Sequence, residues 1–140
     1  MEKELKEPIE LFGYECGEGW LPLVKEAEDW IKEYNNTHKQ EHIDSHSEEL
    51  RFLQVKEKFG MLTIYCNYYP EGLHDKLMDL EQRSLKICER CGETDGTTCE
   101  SSHGWIFTLC PECRKKENER WEKKKMNVGI NFLTKTNETF

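Results

Sequence analysis

Two pairs of cysteines carry the clearest chemistry in this sequence. Cys88 and Cys91 form one Cys-x-x-Cys pair, and Cys110 and Cys113 form a second pair further along the chain. Each such turn directs two thiolates at one point, and two turns complete the closed tetrahedral sulfur shell of a structural zinc ion. Gly92 follows the first pair, where a tight turn favours a residue without a Cβ atom. The spacing therefore predicts one structural Zn²⁺ bound by the four thiolates.

The other interpretations of this pattern are metal-free redox pairs or a disulfide framework. A redox Cys-x-x-Cys normally stands alone near a βαβ pattern, which this sequence lacks. The first residues are acidic and lack the apolar segment of a signal peptide, so we expect an intracellular, cytoplasmic protein. A reducing cytosol favours cysteine as a metal ligand, and the cysteines outside the pairs are then free thiols: Cys16, Cys66 and Cys99.

No catalytic constellation accompanies the cysteines. A four-thiolate shell leaves no open position for a reactive water. His103 is followed by Gly and Trp, whereas a zinc deaminase needs a His-x-Glu motif. The Gly-x-x-x-x-Gly-Lys loop that cradles nucleotide phosphates is also missing. We therefore expect a binding protein and not an enzyme.

Two amphipathic helices are predicted upstream of the cysteines. Apolar residues at helical spacing predict the first helix over residues 21–35, with Pro22 in its first turn. The same spacing predicts the second helix over residues 71–86, which runs directly into Cys88. We expect most of the rings on the first helix to be buried in a core.

A β-hairpin is predicted between these helices, over residues 51–66. Leu53 and Val55 alternate with polar residues and are expected to face the core, while Gly60 is free to take a positive φ in the turn. A further strand, residues 105–109, leads into the second cysteine pair. The expected fold is α+β: a small antiparallel sheet packed on two helices, followed by a zinc-ribbon-like module.

Three segments follow from this organisation. Residues 1–86 form an α+β body, in which the first residues can add a short strand. Residues 87–125 form the zinc-ribbon-like module with a trailing charged helix. Residues 126–140 form a tail that can contribute a short strand and whose last residues are expected to fray.

The net charge of −8 is unevenly distributed. Residues 1–50 hold 5 basic and 14 acidic residues, whereas residues 86–140 hold 10 basic and 9 acidic residues. A general nucleic-acid binder presents a basic face, and the only candidate is the charged helix from Arg114 to Lys125, where glutamates interrupt the lysines. An alternative function is therefore a zinc-ribbon protein that binds nucleic acid or the transcription machinery through this helix.

Residues 36–49 are polar and contain His38, His42 and His46 at a four-residue repeat. On a helix these imidazoles would share a face and could bind a second metal ion. The composition favours a solvated loop instead. Outside the cysteine pairs, Cys99 and His103 are further candidate ligands, although neither belongs to a paired turn.

Short strings spread over residues 14–113 resemble a known family: Cys16-Gly-Glu-Gly-Trp20, Gln54-Val-Lys-Glu-Lys-Phe-Gly60, Cys88-Glu-Arg-Cys91-Gly92 and Thr108-Leu-Cys110. The family consists of small, mostly uncharacterised phage and prophage proteins with a Gly-x-Gly-Trp helix start, a Val-Lys-Glu-Lys-Phe-Gly hairpin and a C-terminal Cys-x-x-Cys zinc module. Relatives continue the hairpin with Gly-Leu-Arg-Phe-Tyr, whereas this chain has Met61-Leu-Thr-Ile-Tyr65 and so lacks the arginine.

Small phage accessory proteins commonly bind a host component. The resemblance therefore implies a non-enzymatic, anti-defence protein that sequesters a small (cyclic) nucleotide signal or a host defence protein. A nucleotide pocket needs ring faces and cations, and the candidates are Trp20, Arg51, Lys56, Lys58, Tyr65 and Arg83, with Tyr68 and Tyr69 nearby. The competing interpretation is that these rings are core and these cations are surface. No apolar run is long enough to span a membrane, and a homo-oligomer is compatible with the sequence.

Overall fold

The computed structural model describes residues 14–139, with side chains described through residue 125. The predicted strand near the N-terminus lies outside this part of the chain. A single 3₁₀ turn, Glu18–Trp20, leads into the first helix. The elements that follow are α1 (Leu21–Thr37), α2 (Lys39–Ser45), β1 (Phe52–Lys58), β2 (Met61–Cys66), α3 (Leu73–Ser84), β3 (Thr98–Ser102), β4 (Trp105–Leu109) and α4 (Pro111–Thr139). The α+β prediction is confirmed.

Helix α1 forms where apolar residues recur every three or four positions. It buries Leu23, Val24, Ala27 and Ile31 on one face, and a proline occupies its first turn. The predicted loop over residues 36–49 is wrong through Ser45, because α1 continues to Thr37 and α2 follows it. His46 ends α2 in the left-handed conformation, with φ 55°.

The predicted hairpin is confirmed as β1 and β2, which pair antiparallel with Lys58 opposite Met61. Phe59 and Gly60 form the turn with φ of 54° and 79°, the two positive values that a tight hairpin favours. The pairing is irregular between Phe52 and Gln54. This bulge turns Leu53 outward, where it is 39% exposed, so the prediction that Leu53 faces the core is wrong.

Helix α3 covers the outer side of β2. Leu73, Leu77 and Leu80 are buried against the hairpin and α1. The hydroxyl of Ser84 accepts a hydrogen bond from the backbone N–H of Leu62 at 3.0 Å, which pairs an edge group of the sheet. Each fully buried leucine contributes about 1.5–3 kcal/mol to folding, so this apolar cluster stabilises the body.

The C-terminal part consists of the β3–β4 hairpin and the start of α4. Thr98 lies opposite Leu109 in this second sheet, and Arg114 of α4 donates hydrogen bonds to the carbonyl oxygens of Thr98 and Phe107. The helix does not end near residue 125 but continues to Thr139, because no proline interrupts it after Pro111. The predicted strand in the tail is therefore wrong.

Among the described residues, no helix combines the length and the hydropathy that crossing a bilayer would require.

Candidate metal centre and adjoining groove

The four paired cysteines converge on one point. Their Sγ atoms all lie within 4.8 Å of one another, and no other group of histidine, cysteine or acidic side chains in the described part of the chain is arranged to hold a metal ion. Cys88, Cys110 and Cys113 are buried, while Cys91 lies at the surface. The four side chains can therefore bind a metal ion, as the spacing predicts.

The first pair is shaped by a tight turn that follows α3. The backbone N–H of Gly92 donates to the carbonyl oxygen of Cys88 at 2.9 Å, and the N–H of Cys88 donates to the carbonyl oxygen of Glu93 at 2.8 Å. Gly92 has φ 85°, a value that side chains with a Cβ atom rarely adopt. The expected role of Gly92 in the turn is thus met.

The second pair lies at the start of α4, where Pro111 occupies the first position of the helix. The N–H of Arg114 donates to the carbonyl oxygen of Cys110 at 2.9 Å, and the N–H of Cys113 lies 3.4 Å from the Sγ of Cys110. The N-terminal end of a helix carries positive partial charge, which stabilises a thiolate. This arrangement suits Cys110 to metal binding.

Glu89 joins the two pairs. Its backbone N–H donates to the carbonyl oxygen of Thr108, and its carboxylate accepts a hydrogen bond from the N–H of Thr108, both at 2.9 Å. Burial raises the pKa of Glu89 to about 7. Because Thr108 is two residues before Cys110, this double contact holds the first turn beside the second pair.

Four thiols at one point cannot all ionise without a cation. Burial raises the pKa of Cys88, but hydrogen bonds from the backbone of Cys110, Cys91 and Arg90 outweigh burial and lower it to about 6. Burial and the neighbouring sulfurs raise the pKa of Cys113 to about 12. A bound divalent cation would remove this conflict, since it binds thiolates.

The other candidate metal ligands lie apart from this centre. The Sγ of Cys99 contacts the carbonyl oxygen of Phe59 at 3.9 Å, which links β3 to the turn of the first hairpin. The rings of His38 and His42 are 6.5 Å apart and tilted. Neither these residues nor His46 belong to a group that could hold a metal ion among the described residues.

Trp20 belongs to the core and does not form a ligand platform. It is fully buried, and its Nε1–H lies 3.2 Å from the carbonyl oxygen of Ser84 and 2.8 Å from that of Ile87. An indole that is enclosed in this way has no face left for a nucleobase. The expectation that Trp20 binds a ligand is therefore corrected.

The predicted cations do not converge on one cleft. Arg83 forms a two-pronged ion pair with Glu26, at 2.6 and 2.8 Å, and Arg51 pairs with Glu48. Lys56 lies opposite Thr63 in the hairpin, and Lys58 is exposed beside the turn. These residues are spread along the hairpin and α3. Their positions agree with the competing interpretation, in which the cations lie on the surface and form no pocket.

Tyr65, one of the predicted ligand residues, lines a groove in the body. This groove, between β2 and α3, has a volume of about 480 Å³ and is also lined by Tyr69, His74, Met78 and Glu81. Burial raises the pKa of Glu81. None of the predicted cations lines the groove, so it lacks the positive charge that a nucleotide phosphate needs.

A contact that the sequence analysis missed joins the Gly-x-Gly segment to the first cysteine turn. The N–H of Gly19 donates to the carbonyl oxygen of Glu89 at 3.0 Å. A Cβ atom on Gly19 would lie 1.9 Å from the carbonyl oxygen of Cys88, and one on Gly17 would lie 2.0 Å from that of Glu89. Both glycines are therefore required for close backbone packing, and their spacing beside Trp20 is the signal that could have indicated it.

A second missed feature lies at the far end of the module. A groove of about 520 Å³, here called the basic groove, is lined by His103, Trp121, Lys124 and Lys125. The rings of His103 and Trp121 are stacked, with centroids 5.1 Å apart and an interplanar angle of 14°. The Nζ atom of Lys124 lies 5.3 Å from the Trp121 ring centre. One histidine in a turn and a lone tryptophan on a charged helix gave little sequence signal.

The base of α4 is fixed by an ion pair that supports this groove. Glu117 is 1% exposed and lies 2.7 Å from Arg90, whose guanidinium also covers the ring of Phe107. Although burial raises the pKa of Glu117, the contacts with Arg90, Trp121 and Arg120 together outweigh it and lower the pKa. Because Arg90 is inside the first cysteine turn, the metal centre and the helix that carries Trp121 are mechanically linked.

Comparison with known proteins adds no assignment: no protein-family model, no curated protein and no solved structure matches this chain.

Proposed function

We propose that this chain is a non-enzymatic binding protein in which a structural zinc ion holds a small module, and that the basic groove of this module binds a nucleotide. The observation that carries the proposal is the stacked pair of His103 and Trp121 beside Lys124 and Lys125. Stacked rings and ammonium groups are the chemistry that recognises a nucleobase and its phosphate.

Zinc is the metal that best fits the four cysteines. Thiolate ligands select soft or borderline ions, and a closed tetrahedral set of four sulfurs is typical of structural zinc. The ion would bind Cys88, Cys91, Cys110 and Cys113 and would act as a scaffold. Its closed shell gives no position for substrate, which supports a binding role over catalysis.

The basic groove replaces the hairpin as the proposed ligand site. Trp121 is half-buried with His103 stacked on it, and His103, Lys124 and Lys125 are exposed, so the outer ring of the stack and the cations are available together. Among the residues that the sequence predicts to bind a ligand, Trp20 is buried, the cations are paired or dispersed, and Tyr65 lines a groove without lysine or arginine. In the phage setting implied by the resemblance, the ligand would be a (cyclic) nucleotide signal of host defence, and the protein would act as a sponge in the host cytosol.

Calorimetric titration of the zinc-loaded protein with cyclic mononucleotides and cyclic dinucleotides tests this proposal. We expect saturable binding to at least one of them, and Trp121→Ala should weaken it about tenfold or more because base stacking is lost. Trp105→Ala is the matched control, since Trp105 is 63% exposed in the same module but does not line the groove. Bound ligand should be recovered chemically unchanged.

Two results would overturn the nucleotide proposal. One is the absence of both heat and a thermal shift with every nucleotide tested. The other is an equal loss of affinity in Trp121→Ala and Trp105→Ala, which would show that the basic groove is not the site. Turnover of the ligand would contradict the non-enzymatic role.

A second candidate function is binding of single-stranded nucleic acid or of the transcription machinery through the same end of the module. The observation that favours it is that the cations of the groove lie on α4, which carries the basic residues of the C-terminal part. Affinity for an oligonucleotide would then fall steeply as salt is raised, because counterions are released. Weak binding with a flat salt dependence would exclude nucleic acid.

A further inference from the structure

A second groove lies in the body, on the outer side of α1 and α2. It has a volume of about 590 Å³ and faces the turn that precedes α3. We call it the acidic groove and define it by three rings and three carboxylates that line it: Trp30, Tyr34, His38, Glu33, Glu41 and Glu71.

The rings form a continuous wall at four-residue spacing. Trp30 and Tyr34 stack with centroids 5.8 Å apart and an interplanar angle of 7°, and Tyr34 and His38 stack at 4.0 Å and 21°. The Nδ1 atom of His38 lies 2.9 Å from the carbonyl oxygen of Tyr34, which fixes the imidazole. Residues four apart share a helix face, so Trp30 and Tyr34 of α1 stack with His38, which directly follows the helix, and Tyr34 is the middle ring of the stack.

The turn before α3 closes the end of this wall. Gly72 has φ 92°, and a Cβ atom there would lie 3.3 Å from the Cζ2 atom of Trp30. The close approach holds the indole against the turn that carries Glu71. The groove therefore has a fixed aromatic side and a fixed opposite rim.

The charge of the groove is one-sided. Its lining includes three glutamates and no lysine or arginine, within a segment where residues 1–50 hold 14 acidic and 5 basic residues. These carboxylates are not grouped closely enough to hold a metal ion, since the cysteine centre is the only such group among the described residues. Separated carboxylates match an extended cation with separated charges better than a single ion.

We propose that the acidic groove binds an organic polycation of the polyamine class. The edges of the stacked rings give an apolar wall for the methylene chains between the ammonium groups of such a ligand. Glu33, Glu41 and Glu71 face the separate ammonium groups. This site is distinct from the basic groove and takes a ligand of opposite charge, so neither proposal depends on the other.

Calorimetric titration with spermidine at low ionic strength tests this site. We expect one saturable site per chain. The triple variant Glu33→Gln, Glu41→Gln, Glu71→Gln should weaken binding about tenfold or more, because it removes the facing charges without changing side-chain size. The matched control is Glu93→Gln, Glu100→Gln, Glu112→Gln, which removes the same charge from exposed positions of the module and should keep most of the affinity.

A ring test separates a built site from general attraction to an acidic surface. Tyr34→Leu removes the middle ring of the stack and should weaken spermidine binding about threefold or more, whereas Tyr34→Phe keeps the ring and should retain binding. Circular dichroism and thermal midpoints establish that each variant is folded. Equal affinity in the wild type and the groove triple variant, equal loss in both triple variants, or binding without saturation would each overturn the proposal.

Discussion

The body and the cysteine module are held together by different means. The body encloses an apolar cluster that includes Trp20, Leu62 and Leu80, all fully buried. The buried cluster of the module contains Leu109 and three of the paired cysteines, with Phe107 packed against it. One leucine and one phenylalanine are too little apolar surface to fold a module of this size, so we expect the module to depend on a metal ion bound by its cysteines, whereas the body depends on its core.

The two regions also differ in the charge of their grooves. The acidic groove of the body and the basic groove of the module each combine stacked rings with charges of one sign. We propose that stacked rings serve ligands of opposite charge in the two grooves, and that the surrounding ionic residues decide which ligand is attracted. Substitutions in the body, in the module or at a contact between them should separate these two means of support, and those with larger expected effects come first.

Loss of the metal should give the largest effect and should fall on the module. We expect Cys88→Ser to lose bound zinc and to expose the amides of residues 98–113 to rapid hydrogen exchange, because metal binding supplies much of the folding free energy. The hairpin of the body should remain protected. Cys99→Ser is the control, since this exposed cysteine lies outside the centre. Unchanged hydrogen exchange in residues 98–113 of Cys88→Ser would contradict the claim that the module, unlike the body, depends on a metal ion for its folding.

The Gly-x-Gly contact should couple the two regions strongly. Gly19→Ala places a Cβ atom against the backbone of the first cysteine turn, so we expect the free energy of unfolding to fall by about 3 kcal/mol or more. Glu18→Ala, at the exposed residue between the glycines, should change it by less than about 0.5 kcal/mol. Denaturant unfolding measures both. Similar values for the two variants would show that the close backbone contact is not required.

A hydroxyl contact should couple the first hairpin to the module more weakly. Thr108 is fully buried, and its Oγ1–H donates to the carbonyl oxygen of Gly60 at 2.5 Å. Thr108→Val leaves that carbonyl oxygen without this donor, so the free energy of unfolding should fall by about 1–2 kcal/mol. Thr94→Val, at an exposed position of the same module, should be nearly neutral. An equal change in the free energy of unfolding at both positions would show that the Thr108 hydroxyl does not couple the hairpin to the module.

The smallest expected effect is an acid-sensitive ion pair within the body. Hydrogen bonds from Arg83 and then Lys76 lower the pKa of Glu26 to about 2 from its ordinary 4.5, against an opposing effect of burial. The folded pKa lies below the unfolded one, so the pair stabilises above about pH 4.5, and this part of the stability is lost as the pH falls toward 2. The groups are partly exposed, so the contribution stays below about 1 kcal/mol.

Glu26→Gln should therefore flatten the loss of thermal stability between pH 4.5 and pH 2. Glu112→Gln, an exposed glutamate of the module, is the control. A pH profile of Glu26→Gln that parallels the wild type would show that this pair does not contribute to the acid dependence.

Local patterns were sufficient to predict the secondary structure near the cysteines. The Cys-x-x-Cys spacing, the alternation in the hairpin and the helical stripe of α1 each depend on neighbours in sequence, and each was confirmed in kind. Helix α2 was missed because six of its seven residues are polar and none is buried, so the sequence gives no apolar periodicity.

The candidate ligand sites could not be predicted reliably from the sequence, because they depend on contacts between residues that are far apart in the chain. The sequence favours a buried Trp20 but leaves a stacking platform open until its hydrogen bonds near the end of α3 are known. Arg83 reads as a free cation until Glu26, 57 positions earlier, is placed beside it. The two grooves combine residues from separate elements, and no single segment of the chain reveals them.

Zinc K-edge X-ray absorption of the purified protein, with metal analysis of the same sample, tests the central claim most directly. We expect about one zinc per chain and a first shell of four sulfur atoms at about 2.3 Å from the metal. A shell that contains nitrogen or oxygen ligands, or folded protein without bound metal, would contradict a module held by Cys88, Cys91, Cys110 and Cys113.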